Sequence, residues 1–434
     1  MKPTSLTSRI TLIAGLASVA VTATACGGDD GGGDAASGGP VTVTYWSSTD
    51  GAKETAQAFN KTHKNVKVKF AEIPAGPDGV TKLSNAVKAQ NGPDVATMDY
   101  SALPEFASQG NLTDLSDAAG PLVKGKFPAN MRSLVTLGGK TWAVPFDVTP
   151  LELYYRKDLF KKYGVEVPRT WADFKKAAET VKKKDPKVRI TNFGGGDPAI
   201  MAGLAWQAGA KWFTTSGNSW KVRMRDTASM KVADYWTGLV KDDLVSKTPL
   251  WAPEETKERA SGKTAAFIGA AWSAGGMKTT YGDAKGKWGI APLPSWDGEP
   301  ASAMYGGTSY VVPKGSGKTE AAAQFIEWVT TTEAGIKARF ESAKAPSSAL
   351  PANDEMRKVA AETYDASYWG KDTDPYAIAS TAADSIVPGW TWSPVQGQVL
   401  AAMQKTAAGF DQGQAAGQRA AEKGIKERGL NLAK

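Results

Sequence analysis

The chain has 434 residues, with 52 Lys and Arg against 44 Asp and Glu, one histidine and one cysteine. That length suffices for two sizeable cores, and the inventory excludes internal disulfides and zinc sites built from His and Cys. The formal charge of +8 is spread along the chain, as around Lys175 and Lys182 to Lys184 on a solvated helix face, so a nucleic-acid partner finds no support.

Lys2 and Arg9 flank the start of an uncharged apolar run from Ile10 to Val21. Residues 1–25 read as an export leader, and the run is too short to span a membrane as a mature helix. Ala23, Thr24, Ala25 and Cys26 follow, which resembles the small-residue box before the acylated cysteine of bacterial lipoproteins, with Ala23 where Leu is usual. Cys26 cannot pair within the chain and is the expected lipidation site, a membrane anchor on the outer face of the cell. Residues 26–40 read as a tether, because GGDDGGGDAASGGP buries nothing apolar and reaches roughly 20 Å as a Gly-rich coil. Loss of the leader leaves 50 basic against 44 acidic side chains, a charge of +6.

VTVTYW at 41–46 alternates in a strand pattern, and Thr49 or Asp50 is placed to cap a following helix that carries Ala56 and Phe59. A second strand holds Val66, Val68 and Phe70; a helix carries Val80, Leu83 and Val87 up to Asn91 and Gly92; a third apolar run spans Val95 to Met98. This order is half of a doubly wound α/β sheet. Ligands collect beyond the carboxyl ends of such strands, which singles out Trp46 and Asp99. Thr170, with Asp173 three residues on, caps a helix whose apolar stripe runs through Trp171, Phe174, Ala178 and Val181. Residues 264–268 and 308–312 read as buried strands, Thr319 as the cap of a helix carrying Phe325, Ile326, Trp328 and Val329, and the last hundred residues as helical.

Nucleophile and phosphate-loop chemistry fail on inventory. His63 is the only histidine, and no serine stands in a G-x-S-x-G setting. Gly-Lys-Thr at 262–264 and 317–319 resembles a phosphate loop, but Lys257 and Val312 occupy the positions that need glycine, so a turn and a helix cap explain them. No metal and no cofactor are expected.

Five motifs stand in a specific order: PDVATMD at 93–99, WAVPFDVTPLELYYRKDLF at 142–160, VPRTWADF at 167–174, SGKTAAFIGAAW at 261–272 and WGIAPLP at 288–294, followed by the run from Tyr305 to Pro313. Together they resemble the extracellular solute-binding proteins of ATP-driven (ABC) importers, of the maltose-binding type, over nearly the whole mature chain. The resemblance implies a two-lobed periplasmic-binding-protein fold of type II, each lobe a doubly wound sheet flanked by helices. It implies chain crossings near Phe146 to Thr149, Pro300 to Tyr305 and Ala345. One lobe then comprises 41–147 with 303–344, and the other 148–302 with 345–434. Hinge closure on a ligand follows from that architecture, with transporter permease subunits as partners and a monomeric protein.

Sugars offer C–H faces and rings of hydroxyls, so their sites need flat aromatic surfaces beside acids and amides. Family positions fall on Trp46, Trp272 and Trp392, with Trp390 two residues earlier. Asp50, Asp99 and Asp147 fall at strand or hinge positions facing the cleft, and Asp197 matches an acidic family position before a proline. Gly306, Gly307 and Thr308 let the backbone approach the cleft. Among the fifteen Trp, Trp171 and Trp328 lie on apolar helix stripes and read as core, whereas Trp272 follows Gly269, Ala270 and Ala271 without helical or strand period. Solvated surface acids and core tryptophans are the competing readings at each position. Two alternatives remain open for function: a non-sugar solute such as a glycerol phosphate, a polyamine or a metal complex, and a secreted glycosidase, which needs only two carboxylates about 5 to 10 Å apart.

Overall fold

The computed structural model describes residues 39–193, 197–342, 347–405 and 409–433. The leader, Cys26, the tether before Gly39 and the crossing expected at Ala345 lie outside the described residues. The strand and helix order expected after the tether is realised as β1 (Val41–Ser47), α1 (Ala52–Thr62), β2 (Val66–Glu72), α2 (Gly76–Lys88) and β3 (Val95–Asp99). Period-two alternation buries Val43 and Tyr45 of β1 on one face, where Tyr45 meets the rings of Phe70, Tyr310 and Phe325, and turns Trp46 to the other.

Downstream elements that bear on the site are β4 (Val144–Pro145), β5 (Asp147–Val148), β6 (Leu151–Arg156), α3 (Trp171–Lys184), α4 (Pro198–Gln207), α5 (Pro253–Ser261), β7 (Ala266–Ala270), α6 (Ser273–Thr280), β8 (Trp288–Pro292), β9 (Thr308–Val311), α7 (Thr319–Thr331) and β10 (Leu350–Pro351). The first sheet has the order β2-β1-β3-β9-β4. Its β1 is parallel to β2 and β3, and β9 is antiparallel to β3 and β4. The second sheet, β7-β6-β8, is antiparallel at both of its pairings. Parallel winding therefore describes β1 to β3, while β6, entering straight from β5, meets β7 and β8 running the opposite way. A parallel bridge between Arg189 and Thr264 extends the second sheet at one edge.

Two stretches of chain lie side by side between the sheets. Phe146 N–H donates to Thr308 O, Tyr305 N–H to Thr149 O (both 3.0 Å) and Leu151 N–H to Ala303 O (2.8 Å). A third stretch joins them, since β10 pairs with β5 through Leu350 with Val148 and Pro351 with Asp147. These paired backbones fix Asp147 at the meeting point of the two sheets.

Local expectations fare unevenly. Thr170 caps α3 as the sequence predicts, accepting from Asp173 N–H (3.1 Å) and donating to its carboxylate (2.7 Å). Thr49 and Asp50 do not cap α1: the N-cap is Gly51 at φ 77°, and Thr49 instead bonds Ser47. A side chain at Gly51 would run into the Arg339 backbone, so the close approach overrides side-chain capping here. Thr319 is the first residue of α7 and supplies no cap. Trp171 is fully buried, and Trp328 is half-buried against Phe59 and His63. Among the described residues, no helix is long and apolar enough to cross a membrane.

Candidate functional site

The backbone at 305–308 carries most of the site. Gly306 and Gly307 take φ of 74° and 97°, a left-handed region open to glycine at little cost. A Cβ on Gly307 would lie 2.6 Å from Met304 Cε, 2.9 Å from Thr149 Oγ1 and 3.1 Å from Tyr100 Cδ2. Only glycine lets these three residues close around the strand. Tyr100 is then tied to both sides, its N–H donating to Gly307 O (3.1 Å) and its hydroxyl to Asp147 O (3.0 Å).

Asp99 and Asp147 flank Thr308. Asp99 is opposite Thr308 in the β3–β9 ladder, and Thr308 N–H donates to Asp147 Oδ1 (2.7 Å). Burial pushes the Asp147 carboxyl up to about 7, opposed by the Thr308 N–H and the Arg339 charge and reinforced by Asp99; burial pushes Asp99 up to about 6. The Arg339 guanidinium is buried 4.2 Å over the Phe146 ring and donates to Val329 O.

A folded-state pKa raised above its unfolded value contributes stability that is complete at low pH and lost as pH rises. For Asp147 the window runs from about 4 to about 7. Asp147→Asn keeps an acceptor for Thr308 N–H and removes the titration, so its unfolding free energy should gain on the parent's from pH 4 to 7 and then hold level. Urea unfolding of both proteins across pH 4 to 8 measures this; a difference independent of pH would contradict the placement of Asp147.

Trp272 follows β7 directly. Burial pushes Glu152 of β6 up to about 8, and the Tyr154 hydroxyl lies 2.8 Å from Glu152 Oε2 and 2.9 Å from Ala270 O, fixing the end of β7. Sequence periodicity suggested a loop at Trp272; the structure shows a helical turn leading into α6. The half-buried indole donates to Tyr305 O (3.0 Å), and the Trp272 backbone carbonyl accepts from Ser348 Oγ (2.9 Å). Tyr305 turns its ring to Trp272, with centroids 5.6 Å apart, and its hydroxyl to Asp197 Oδ2 at 2.6 Å. Asp197 caps α4 through Ala199 N–H (2.8 Å).

Asp197, Trp272, Gly307, Thr308, Asp147 and Asp99 thus form one continuous set of contacts, joined through Tyr305. Two of its members were missed by sequence reasoning. Tyr305 stands immediately before the glycine pair, a signal that was available; Trp251, whose indole donates to Asp197 Oδ2 (2.8 Å) and stacks on Trp272, lies in TPLWAPEE, which carries none.

Trp46 and Asp50 sit at the carboxyl end of β1, the strand paired with β3. Lys82 Nζ sits 5.2 Å over the Trp46 ring. Asp50 is exposed, and partial desolvation followed by the charges of Glu54 and Glu72 raises its carboxyl. Trp390 and Trp392 need correction as open stacking surfaces. Their rings are 3% and 5% exposed: Trp390 stacks on Trp206 at 5.2 Å and Trp392 meets both edge-on. The cause is α4, which is buried along its length and turns Trp206 toward them.

Aromatic rings beside carboxylates and a close backbone suit a ligand with an apolar face and a rim of hydroxyl donors. Among the described residues no group of His, Cys, Asp or Glu could hold a metal ion.

Residues 45–336 match the model of the bacterial extracellular solute-binding proteins, and the chain belongs to that family. It is 27% identical to the arabinooligosaccharide-binding protein of Bacillus subtilis, over 65% of this chain and 67% of that one. It is 29% identical to a maltooligosaccharide ABC transporter solute-binding lipoprotein of Streptococcus pneumoniae, over 71% of this chain and 70% of that one. Among solved structures, the galacto-N-biose/lacto-N-biose I-binding protein of a Bifidobacterium longum ABC transporter, in complex with lacto-N-biose, matches with a TM-score of 0.80 and 26% identity, covering 92% of this chain and all of that one. The fold is the two-lobed, type II periplasmic-binding-protein fold.

Proposed function

We propose that this protein captures a sugar or short oligosaccharide outside the cell and delivers it to the permease subunits of an ABC transporter. The observation that carries the reading is the Trp272, Tyr305 and Asp197 cluster, where an aromatic face adjoins a carboxylate held at a helix start. The three relatives described above are named for arabinooligosaccharide, maltooligosaccharide and lacto-N-biose binding, which supports the same class of solute. Residues 41–147 with 303–344 form one lobe and 148–302 with 345–434 the other, an assignment supported by sheets built almost wholly from one set or the other. The lobes close by a hinge where Phe146 to Leu151 runs beside Ala303 to Thr308.

The protein acts as a monomer without catalysis. A screen of maltotriose, arabinotriose and lacto-N-biose by ligand-induced thermal shift, with recovery of the sugars afterwards, tests the reading. A shift with at least one sugar and its intact recovery are expected; a sugar cleaved at a steady rate, with cleavage abolished by Asp99→Asn or Asp147→Asn, would assign a glycosidase instead.

Cys26 carries the lipid that holds the protein at the outer face of the membrane, supported by the leader pattern and by the lipoprotein relative. Cys26→Ser should release the folded protein into the medium, read by immunoblot of cell and medium fractions; full retention in the membrane fraction would contradict the anchor.

A further inference from the structure

Val41 and Trp251 are the only large hydrophobic side chains exposed among the described residues, and Trp251 is the more open at 60%. Its backbone is unusual as well: φ is 69°, a conformation that bulky side chains rarely adopt. That backbone is nevertheless held firmly. Trp251 N–H donates to Glu255 Oε2 (2.7 Å), and Glu255 is itself buried with Arg259 and Asn192 on its other oxygen.

Two contacts of the indole bear on the site. It lies over Trp272 with centroids 5.8 Å apart and planes 26° from parallel, and its N–H donates to Asp197 Oδ2 (2.8 Å). With Trp251 in place, Asp197 Oδ2 accepts from both Tyr305 and Trp251, while Oδ1 accepts from Ala199 N–H. An apolar face on Trp272 and a single donor on Asp197 are what a sugar ring would bring to the same place. A side chain with a pinned backbone and a ring 60% exposed can swing out by rotation about its side-chain bonds alone.

We propose that Trp251 is a displaceable stand-in for the ligand, covering the Trp272 platform until a sugar takes its place and giving up both of these contacts to it. The inference rests on the reading of Trp272, Tyr305 and Asp197 as a sugar subsite. It makes Trp251 a selectivity element, since a sugar gains affinity only to the extent that its ring and hydroxyl outcompete the indole. The occupant that displaces it is a neutral sugar ring with one apolar face and an equatorial rim of hydroxyls, one of which donates to Asp197.

The test labels the protein with 5-fluorotryptophan and assigns the fluorine resonances of residues 251 and 272 from the Trp251→Phe and Trp272→Phe variants. Maltotriose, arabinotriose and lacto-N-biose are then titrated into the parent, Trp251→Ala and Trp272→Ala. Saturation should move the Trp251 resonance toward a solvent-exposed position, and Trp251→Ala should bind the same sugar about 3- to 10-fold more tightly, the scale of one aromatic pair lost from competition. Trp251→Ala, altered at an exposed ring, should melt close to the parent. Weaker or unchanged binding by Trp251→Ala, with Trp272→Ala also weakened, would overturn the stand-in and leave the subsite. Unchanged binding by Trp272→Ala would overturn the subsite reading, and the stand-in with it, as would failure of all three sugars to bind.

Discussion

Trp272→Ala should weaken binding of the best sugar by about 30-fold. The indole offers one large face to the ligand, and removing that desolvated contact costs about 2 kcal/mol, a figure reduced because the sugar no longer has to displace Trp251 from the same ring. Unliganded stability should also fall, though modestly. Trp272 is half-buried and donates to Tyr305 O, so truncation removes one hydrogen bond and partial packing, about 1 to 2 kcal/mol. Calorimetric titration and urea unfolding on mutant and parent separate the two effects. Unchanged affinity with a large stability loss would return Trp272 to the core.

Trp171→Ala should do the reverse and carry the largest stability cost of any change considered. The ring is 1% exposed, packs against Phe174, Tyr235 and Trp236 at 5.5 to 5.6 Å, and donates from Nε1 to Gln207 Oε1 (3.0 Å). A cavity of that size costs about 3 to 5 kcal/mol, and leaving the buried Gln207 oxygen without its donor adds to it. Urea unfolding without ligand reads the loss. In conditions where the mutant is folded, its affinity for sugar should match the parent's; weakened binding by the folded fraction would show that α3 packing reaches the site.

The contrast between these two tryptophans shows what the sequence could convey. Trp171 sits on a helical stripe, where period alone assigns it to the core, and Thr170 marks the start of that helix by a cap whose chemistry is local. Local signals of this kind carried β1 to β3 and α3 correctly. The burial of Trp390 and Trp392 was not legible in the same way, because what covers them is Trp206, nearly two hundred residues away in sequence, on a helix with no polar face to betray its surroundings. Trp251 was invisible for the opposite reason: an exposed ring in an irregular turn leaves no pattern, and its partners Asp197 and Trp272 come from separate elements. Gly51 illustrates a third limit. Thr49 and Asp50 are good capping residues, yet the Arg339 backbone closes on Gly51 and decides the geometry. Asp197 and Gly307 were singled out by the order of motifs along the chain, and the structure brings them near each other through Tyr305, which no local rule would have paired with them.

The most direct measurement is a crystal structure of residues 40–434 with the tightest-binding sugar of maltotriose, arabinotriose and lacto-N-biose. The predicted result is a sugar ring stacked on Trp272, with one hydroxyl donating to Asp197 and the Trp251 indole swung away. A sugar bound with no contact to Trp272 or Asp197, or seated against an opened Trp390 and Trp392 pair, would contradict it.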